Sequence, residues 1–318
     1  IVLNINLGTI AISPKDILSI ISNKVFGTEA TVKANITAIV WDIRMPRIIT
    51  SFFVGAGLAT AGVIFQGILQ NPLADPYTIG ISTGASLGAS LAIVANLLYG
   101  IVFPVTVAGL IGAVLTMLAV ILISRRGNSL DSSNIIISGI IVSSILNAGV
   151  SFIKMLAGED VGAIVFWIMG NFSAVGWDSV ALVTPIVILG IIISSLMAKS
   201  LDIMSLGDEN AISLGVNTKR LRLIYLIIGS LITAVCVSVS GVIGFVGLIV
   251  PHLLRLWLTA ENKVLMPMSA LLGGLLLMTA DGVTRVISSG EIPVGVLTTL
   301  IGGPFFIYVF TRKAVKNE

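Results

Sequence analysis

Long apolar runs separated by short polar stretches set the rhythm of the chain. Ile48–Leu69, Thr78–Leu98, Val102–Ser124, Ile135–Ala157, Val180–Ala198, Leu223–Val239, Val264–Ala280 and Val294–Phe310 each read as a helix that crosses roughly 30 Å of hydrocarbon. Ile1–Ser13 reads as the remnant of a first span whose beginning is missing. The apolar run ending near Trp257 reads as an eighth span interrupted by Pro251, which brings the total to ten. Pro14–Arg47 carries Lys15, Asp16, Lys24, Glu29, Lys33, Asp42, Arg44 and Arg47, so it is expected outside the hydrocarbon. Val161–Trp177 is apolar but short, broken by Gly170, Asn171 and Gly176. It reads as a half-inserted or interfacial helix with Trp167 and Trp177 near the headgroups.

Within the spans, small residues mark close helix contacts. Gly55, Gly57, Ala59, Ala61 and Gly62 do so in the second span, and Gly80, Gly84 and Gly88 form a stripe in the third. The prolines of Gln70–Pro76 forbid one continuous helix there. Asp281 and Arg285 have the spacing of an ion pair at the outer end of the ninth span. Gly62-Val63-Ile64 precedes Pro72 as Gly241-Val242-Ile243 precedes Pro251, and each follows an arginine-started span. Those two spans run in opposite directions, so a repeat of spans 2–5 in spans 7–10 would be inverted, a common plan for transporters.

Composition excludes a soluble globular domain. Of 318 residues, 56% are hydrophobic and 10% charged, with a mean hydropathy of +1.09, whereas soluble domains carry about a quarter charged residues. The fold class is therefore an all-α polytopic membrane protein, a single transmembrane domain over residues 1–318. A net charge of +3 with dispersed basic residues does not suggest nucleic acid. With the C-terminus inside, eleven of the 18 basic residues fall on inner loops, so both termini are expected in the cytoplasm. Cys236 and His252 are the only residues of their types, leaving no disulfide and no metal cluster to expect. Nucleophile elbow, H-E-x-x-H and P-loop motifs are absent, so the chain is not expected to be an enzyme or to hydrolyse ATP itself. An ion-coupled carrier needs a midplane carboxylate, which costs about 2.5–3.5 kcal/mol to insert. Asp281 sits near a span end instead, which leaves buried acids scarce and moves the energy source to a partner.

Ser205–Arg222 is the longest hydrated interruption in the second half. Asp208 can cap a short helix there, Glu209 suits its first turn, and Gly215 can supply a left-handed stop. Ala211 and Leu214, three apart, would share one face. The stretch reads either as an ordinary solvated loop or as a grip for a soluble partner.

Arg44-Met45-Pro46-Arg47 before a Gly/Ala-rich span, then Gln70–Pro76 (QNPLADP), resembles the FecCD-type permease subunits of binding-protein-dependent ABC importers for ferric siderophores, haem and cobalamin. Leu206–Gly215, Gly241–Arg255, Glu291–Gly295 and Gly302-Gly303-Pro304 extend the resemblance along the whole chain in order. It implies a type II, ten-span permease in a prokaryotic inner membrane, forming a homodimer around a central pathway. Two cytoplasmic subunits would bind ATP-Mg, this chain would hold no cofactor, and an extracytoplasmic binding protein would deliver the cargo. Ferric siderophore is the first expectation for that cargo, with haem, cobalamin or an oxyanion such as molybdate as others. By the same resemblance Arg44, Arg47 and Arg285 dock the binding protein. Asn71, Leu73, Ser132 and Ser133 would form the cytoplasmic gate, and Asn147 would line the pathway. Asp208, Glu209, Ala211, Leu214 and Gly215, within a coupling loop at about 200–222, would couple to the ATPase. The alternative is an ion-coupled secondary transporter without an ATPase.

Overall fold

In hydrocarbon no water is available to backbone N–H and C=O groups, so apolar runs of this length must satisfy them internally as helices. A computed structural model of the chain describes residues 4–5, 12–27, 32–125, 131–287 and 292–315, with side chains to residue 307. Most of the segment read as a first-span remnant lies outside the described residues, as do Glu29, Arg126 and Glu291.

The helices are α1 (Pro14–Phe26), α2 (Ala34–Ile68), α3 (Ile81–Tyr99), α4 (Val105–Ser124), α5 (Ser132–Ala157), α6 (Val161–Ile168), α7 (Trp177–Leu196), α8 (Ala198–Met204), α9 (Asp208–Ser213), α10 (Thr218–Ser240), α11 (Val246–Trp257), α12 (Asn262–Ile287) and α13 (Val294–Val315). Seven segments among the described residues are long and apolar enough to cross a membrane, and α11 and the apolar start of α13 are shorter.

Helix α2 is the buried shaft of the bundle, with nearly every side chain from Val54 to Ile68 out of contact with the surroundings. It packs chiefly on α12 and α10, and its glycines make this possible. A Cβ on Gly55 would overlap the Gly273 carbonyl of α12, and one on Gly62 would overlap that of Gly247 in α11. Helix α10 runs antiparallel to α2, with Arg222 beside Ile68 and Cys236 beside Val54. The helices expected to open the two halves of an inverted repeat therefore cross in opposite directions at the centre. Gly84 and Gly88 press on the backbone of α4 at Gly112 and Ala108, as their stripe predicted. Gly80 does not belong to that stripe. It caps the 3-10 turn Pro76–Ile79 in a left-handed conformation, φ 85°, just before α3.

Three boundaries differ from expectation. The polar segment before Arg47 is not separate from the second span. Residues 34–68 form one helix with a π stretch at Ile39–Arg44, and at 35 residues it is about 50 Å long, well beyond the hydrocarbon thickness. The eighth span is not interrupted at Pro251: α11 runs through it, and the non-helical stretch Gly241–Phe245 separates α10 from α11. Pro251 has no N–H to give the Gly247 carbonyl four residues back, and Gln66 Nε2 supplies one from α2 at 3.3 Å. Arg255 in turn donates to Gln66 Oε1. At the break itself, Tyr77 donates its hydroxyl hydrogen to the Ile243 carbonyl (2.7 Å) and accepts from the Ile243 N–H (3.2 Å). That unwound backbone is thus satisfied within the protein, as depth in a membrane demands. Trp167 packs against the core, and Trp177 donates its Nε1 hydrogen to Trp41 O at 3.0 Å beside a 5.0 Å ring contact between the two tryptophans.

Candidate functional site

The chemistry-bearing residues collect at the two opposite ends of α2. At the end that carries Arg44 and Arg47, α12 returns with Asp281 and Arg285. Arg47 Nε lies 3.1 Å from each Asp281 oxygen, its Nη2 2.9 Å from Oδ1, and Arg285 Nε lies 3.4 Å from Oδ2. Asp281 is fully buried. Arg285 also donates to Asn4 Oδ1, and Arg44 Nη1 to the Ile5 carbonyl at 2.6 Å. The i,i+4 pair expected from sequence is present, but its depth was misjudged: Asp281 is a buried acid, held by a second arginine 234 residues away. All three arginines proposed for docking stand together here, turned inward and mostly buried.

At the other end, α2 stops in a tight carbonyl-capping turn. Asn71 N–H donates to Gln66 O and Gln70 N–H to Gly67 O, with Gln70 left-handed at φ 51° where glycine is usual. The Gln70 side chain reaches Met204 O (3.0 Å) and Asp208 Oδ1 (3.4 Å). Arg222, 2% exposed as a residue, gives Nη2 to Asp208 Oδ1 at 2.6 Å and Nε to the Ile68 carbonyl at 3.3 Å. Ser132, the first residue of α5, donates to that same carbonyl at 3.0 Å. Asn71 Oδ1 accepts from Leu73 N–H, and Asn71, Leu73 and Ser133 are exposed. The proposed gate residues thus meet at the base of α2. Asp202 of α8 accepts from Asn262 N–H (3.0 Å) and Nδ2 (2.7 Å), fixing that helix to the start of α12.

The short helix read from Ser205–Arg222 exists as α9, and Gly215 supplies its left-handed stop at φ 82°. Two details change. Gly207 (φ 100°) occupies the cap position, while Asp208 is the first helical residue and turns its carboxylate to Arg222. Ala211 and Leu214 do not share an exposed face, because Ala211 is buried and Leu214 is 61% exposed. The exposed apolar residues here are Ile212 (61%) on α9 and Leu206 (60%) and Leu214 flanking it, next to exposed Glu209. Leu206 and Ile212 went unread, although their hydrophobicity within a polar loop was a usable signal.

Asn147 is exposed on α5, in line with exposed Ser144 and Ser151 at helical spacing. The stripe is bordered by exposed Ile141, Ile145 and Phe152. Two lateral clefts are apolar, one of about 610 Å³ between α3, α4 and α5 and one of about 380 Å³ between α11, α12 and α13. Among the described residues no group of three or more His, Cys, Asp or Glu side chains could hold a metal.

A glycine-packed helical bundle with seven segments long and apolar enough to cross a membrane among the described residues defines a multi-pass membrane protein. The chain belongs to the FecCD transport family, whose profile matches residues 1–312. It is 37% identical over 278 residues to the cobalamin import system permease protein BtuC of Halobacterium salinarum, covering 87% of this chain and 74% of that one. It is 35% identical over 317 residues to the Fe(3+)-citrate import system permease protein YfmE of Bacillus subtilis, covering 99% and 92% respectively. Its fold matches the solved chain of a metal-chelate type ABC transporter in an inward-facing conformation, with a TM-score of 0.79 and 32% identity over 94% of this chain and all of that one.

Proposed function

We propose that this chain is the membrane-spanning permease subunit of an ATP-driven importer for a metal chelate. A homodimer encloses the pathway, whose walls include the Ser144, Asn147 and Ser151 face of α5. Two cytoplasmic ATP-binding subunits dock on α8–α9, so ATP-Mg is held outside this chain. An extracytoplasmic binding protein delivers cargo at the end that carries Arg44, Arg47 and Arg285. Ferric siderophore is the first cargo to test, with haem, cobalamin and molybdate as the alternatives. Both termini lie in the cytoplasm of a prokaryotic cell, and the membrane is the inner one. The observation that carries this reading is the α9 segment: Ile212 on the six-residue helix and Leu206 and Leu214 on either side of it are exposed, while the Asp208 carboxylate and the neighbouring Met204 carbonyl are tied to α10 and to the turn that ends α2.

The ion-coupled alternative loses support because both oxygens of Asp281, the buried acid it would use, are engaged by arginines. For the test, the chain is co-expressed with the candidate ATP-binding subunit of its own transport system. The expected result is co-purification with the unmodified chain and loss of that subunit from Ile212→Ser with Leu214→Ser. Transport by the purified chain alone, indifferent to ATP, would overturn the proposal.

A further inference from the structure

The base of α2 holds a junction that neither the docking surface nor the pathway requires. Three elements converge on one carbonyl: Ile68 O, at the end of α2, accepts from Arg222 of α10 and from Ser132 of α5. The other arm of Arg222 holds Asp208, the first residue of α9, whose side chain is still 40% exposed toward the proposed partner side. Gln70 runs parallel to this link. Its backbone takes a left-handed conformation that costs roughly 1–2 kcal/mol for a residue with a Cβ, at a position where glycine would carry no such cost. Glycine, however, has no amide to reach Met204 O and Asp208 Oδ1. The residue present is thus the one that gives up backbone comfort for a tether to α8 and α9.

We propose that Arg222 and Gln70 are positioning residues that transmit displacement of α9 to the turn 69–76 and to the start of α5, the elements assigned to the gate. The reading rests on α9 being the ATPase contact. Parting Arg222 from Asp208 would break the 2.6 Å ion pair of a buried guanidinium, so movement of α9 is cheaper if it carries α10 and the end of α2 with it. Ser132 then follows through the shared carbonyl. Two bonds of different chemistry make the clamp, and either can be cut without touching the exposed face of α9.

The test needs no knowledge of the cargo. Cys236 is the only cysteine, so Cys236→Ser with Leu73→Cys places a single thiol on the exposed turn. Maleimide labelling of that thiol is timed in the complex with the ATPase subunit, nucleotide-free and then trapped with ATP and vanadate. With the junction intact, trapping should shift the equilibrium between shielded and exposed forms of the thiol, and with it the labelling rate, by about fivefold or more. Gln70→Gly and, separately, Arg222→Gln should retain the ATPase subunit and its hydrolysis while the labelling change shrinks to about twofold or less, with Arg222→Lys intermediate. Gln70→Gly guards against a folding artefact, because it relieves the turn. An undiminished labelling change in both variants overturns the inference, as does loss of the ATPase subunit from both. If the intact junction neither binds the subunit nor responds to trapping, the importer reading itself has failed.

Discussion

Removing the Asp281 carboxylate should unfold the protein far more readily than removing the whole ion pair. That carboxylate lies between two buried guanidinium groups and accepts three contacts from Arg47 at 2.9–3.1 Å and one from Arg285 at 3.4 Å. Breaking a buried pair from one side costs about 3–5 kcal/mol, because the remaining charge stays in a low-dielectric site. With two arginines relying on one acid, Asp281→Ala belongs at the upper end of that range. Replacing two of the three charges by apolar groups of similar size, Asp281→Leu with Arg47→Met, should restore part of the loss, the remainder belonging to Arg285, which keeps its charge. Cys236 is a built-in reporter, since this single cysteine is buried and reacts with a thiol dye only as the bundle opens. In a detergent melt, Asp281→Ala should lower the midpoint on the order of 10 °C, and the double variant should recover part of that. A single variant that melts with the unmodified chain, or a double variant no better than the single, would refute the reasoning.

Asp75, in the turn before α3, has its carboxyl pushed up from 3.8 to about 6 by burial, partly offset by the bond from Tyr77 N–H. The folded state thus favours the protonated acid, and the stability it contributes is complete below its ordinary value and lost as pH rises through about 6. Asp75→Asn keeps the acceptor for Tyr77, so it should melt higher than the unmodified chain near pH 8, by about 2–3 kcal/mol, with roughly half that gain near pH 5; parallel pH profiles would count against this. Gly62→Ala drives a Cβ into the Gly247 backbone, which cannot rotate away, and should cost about 1–3 kcal/mol. Gly176→Ala, with open space around it and an extended backbone, should melt unchanged in the same assay.

What the sequence made legible was decided by local pattern. Val180–Ala198 and Leu223–Val239 became Trp177–Leu196 and Thr218–Ser240, because a helix is the only local answer to an apolar run in lipid. Gly215 could be read as a stop because its left-handed backbone is a property of one residue. The misreadings all involve distant partners. Pro251 looked like the break in the eighth span, but Gln66, 181 residues from Gly247, satisfies the carbonyl it orphans. The true break at Gly241–Phe245 depends on Tyr77. Asp281 looked peripheral until Arg47 was placed beside it, and Asp208 looked like a cap until Arg222 claimed its carboxylate. Ala211 and Leu214 share a spacing but not an environment, since the packing of α9 decides which of them meets solvent.

Helix α2 ties these observations into a constraint on motion. Its first end is locked to α12 through Arg47 and Asp281, and its last end to α10 and α9 through Ile68, Arg222 and Asp208. Between the two locks its glycines seat it against backbone, where sliding by a fraction of a helical turn would bring side chains into carbonyls. Breaking the buried Arg47–Asp281 pair would cost about 3–5 kcal/mol, and parting Arg222 from the half-exposed Asp208 would cost less, because water screens the freed carboxylate. A rearrangement that kept both would have to carry α2 with the ends of α10 and α12 as one body. Bending would then concentrate where no helix resists it, at residues 69–75 and at Gly241–Phe245. Tyr77 bonds the second of these segments from just beyond the first, so the two flexible points are coupled as well. Rigid transmission along α2 with paired bending points is therefore the least costly way for a displacement at α9 to reach the opposite face.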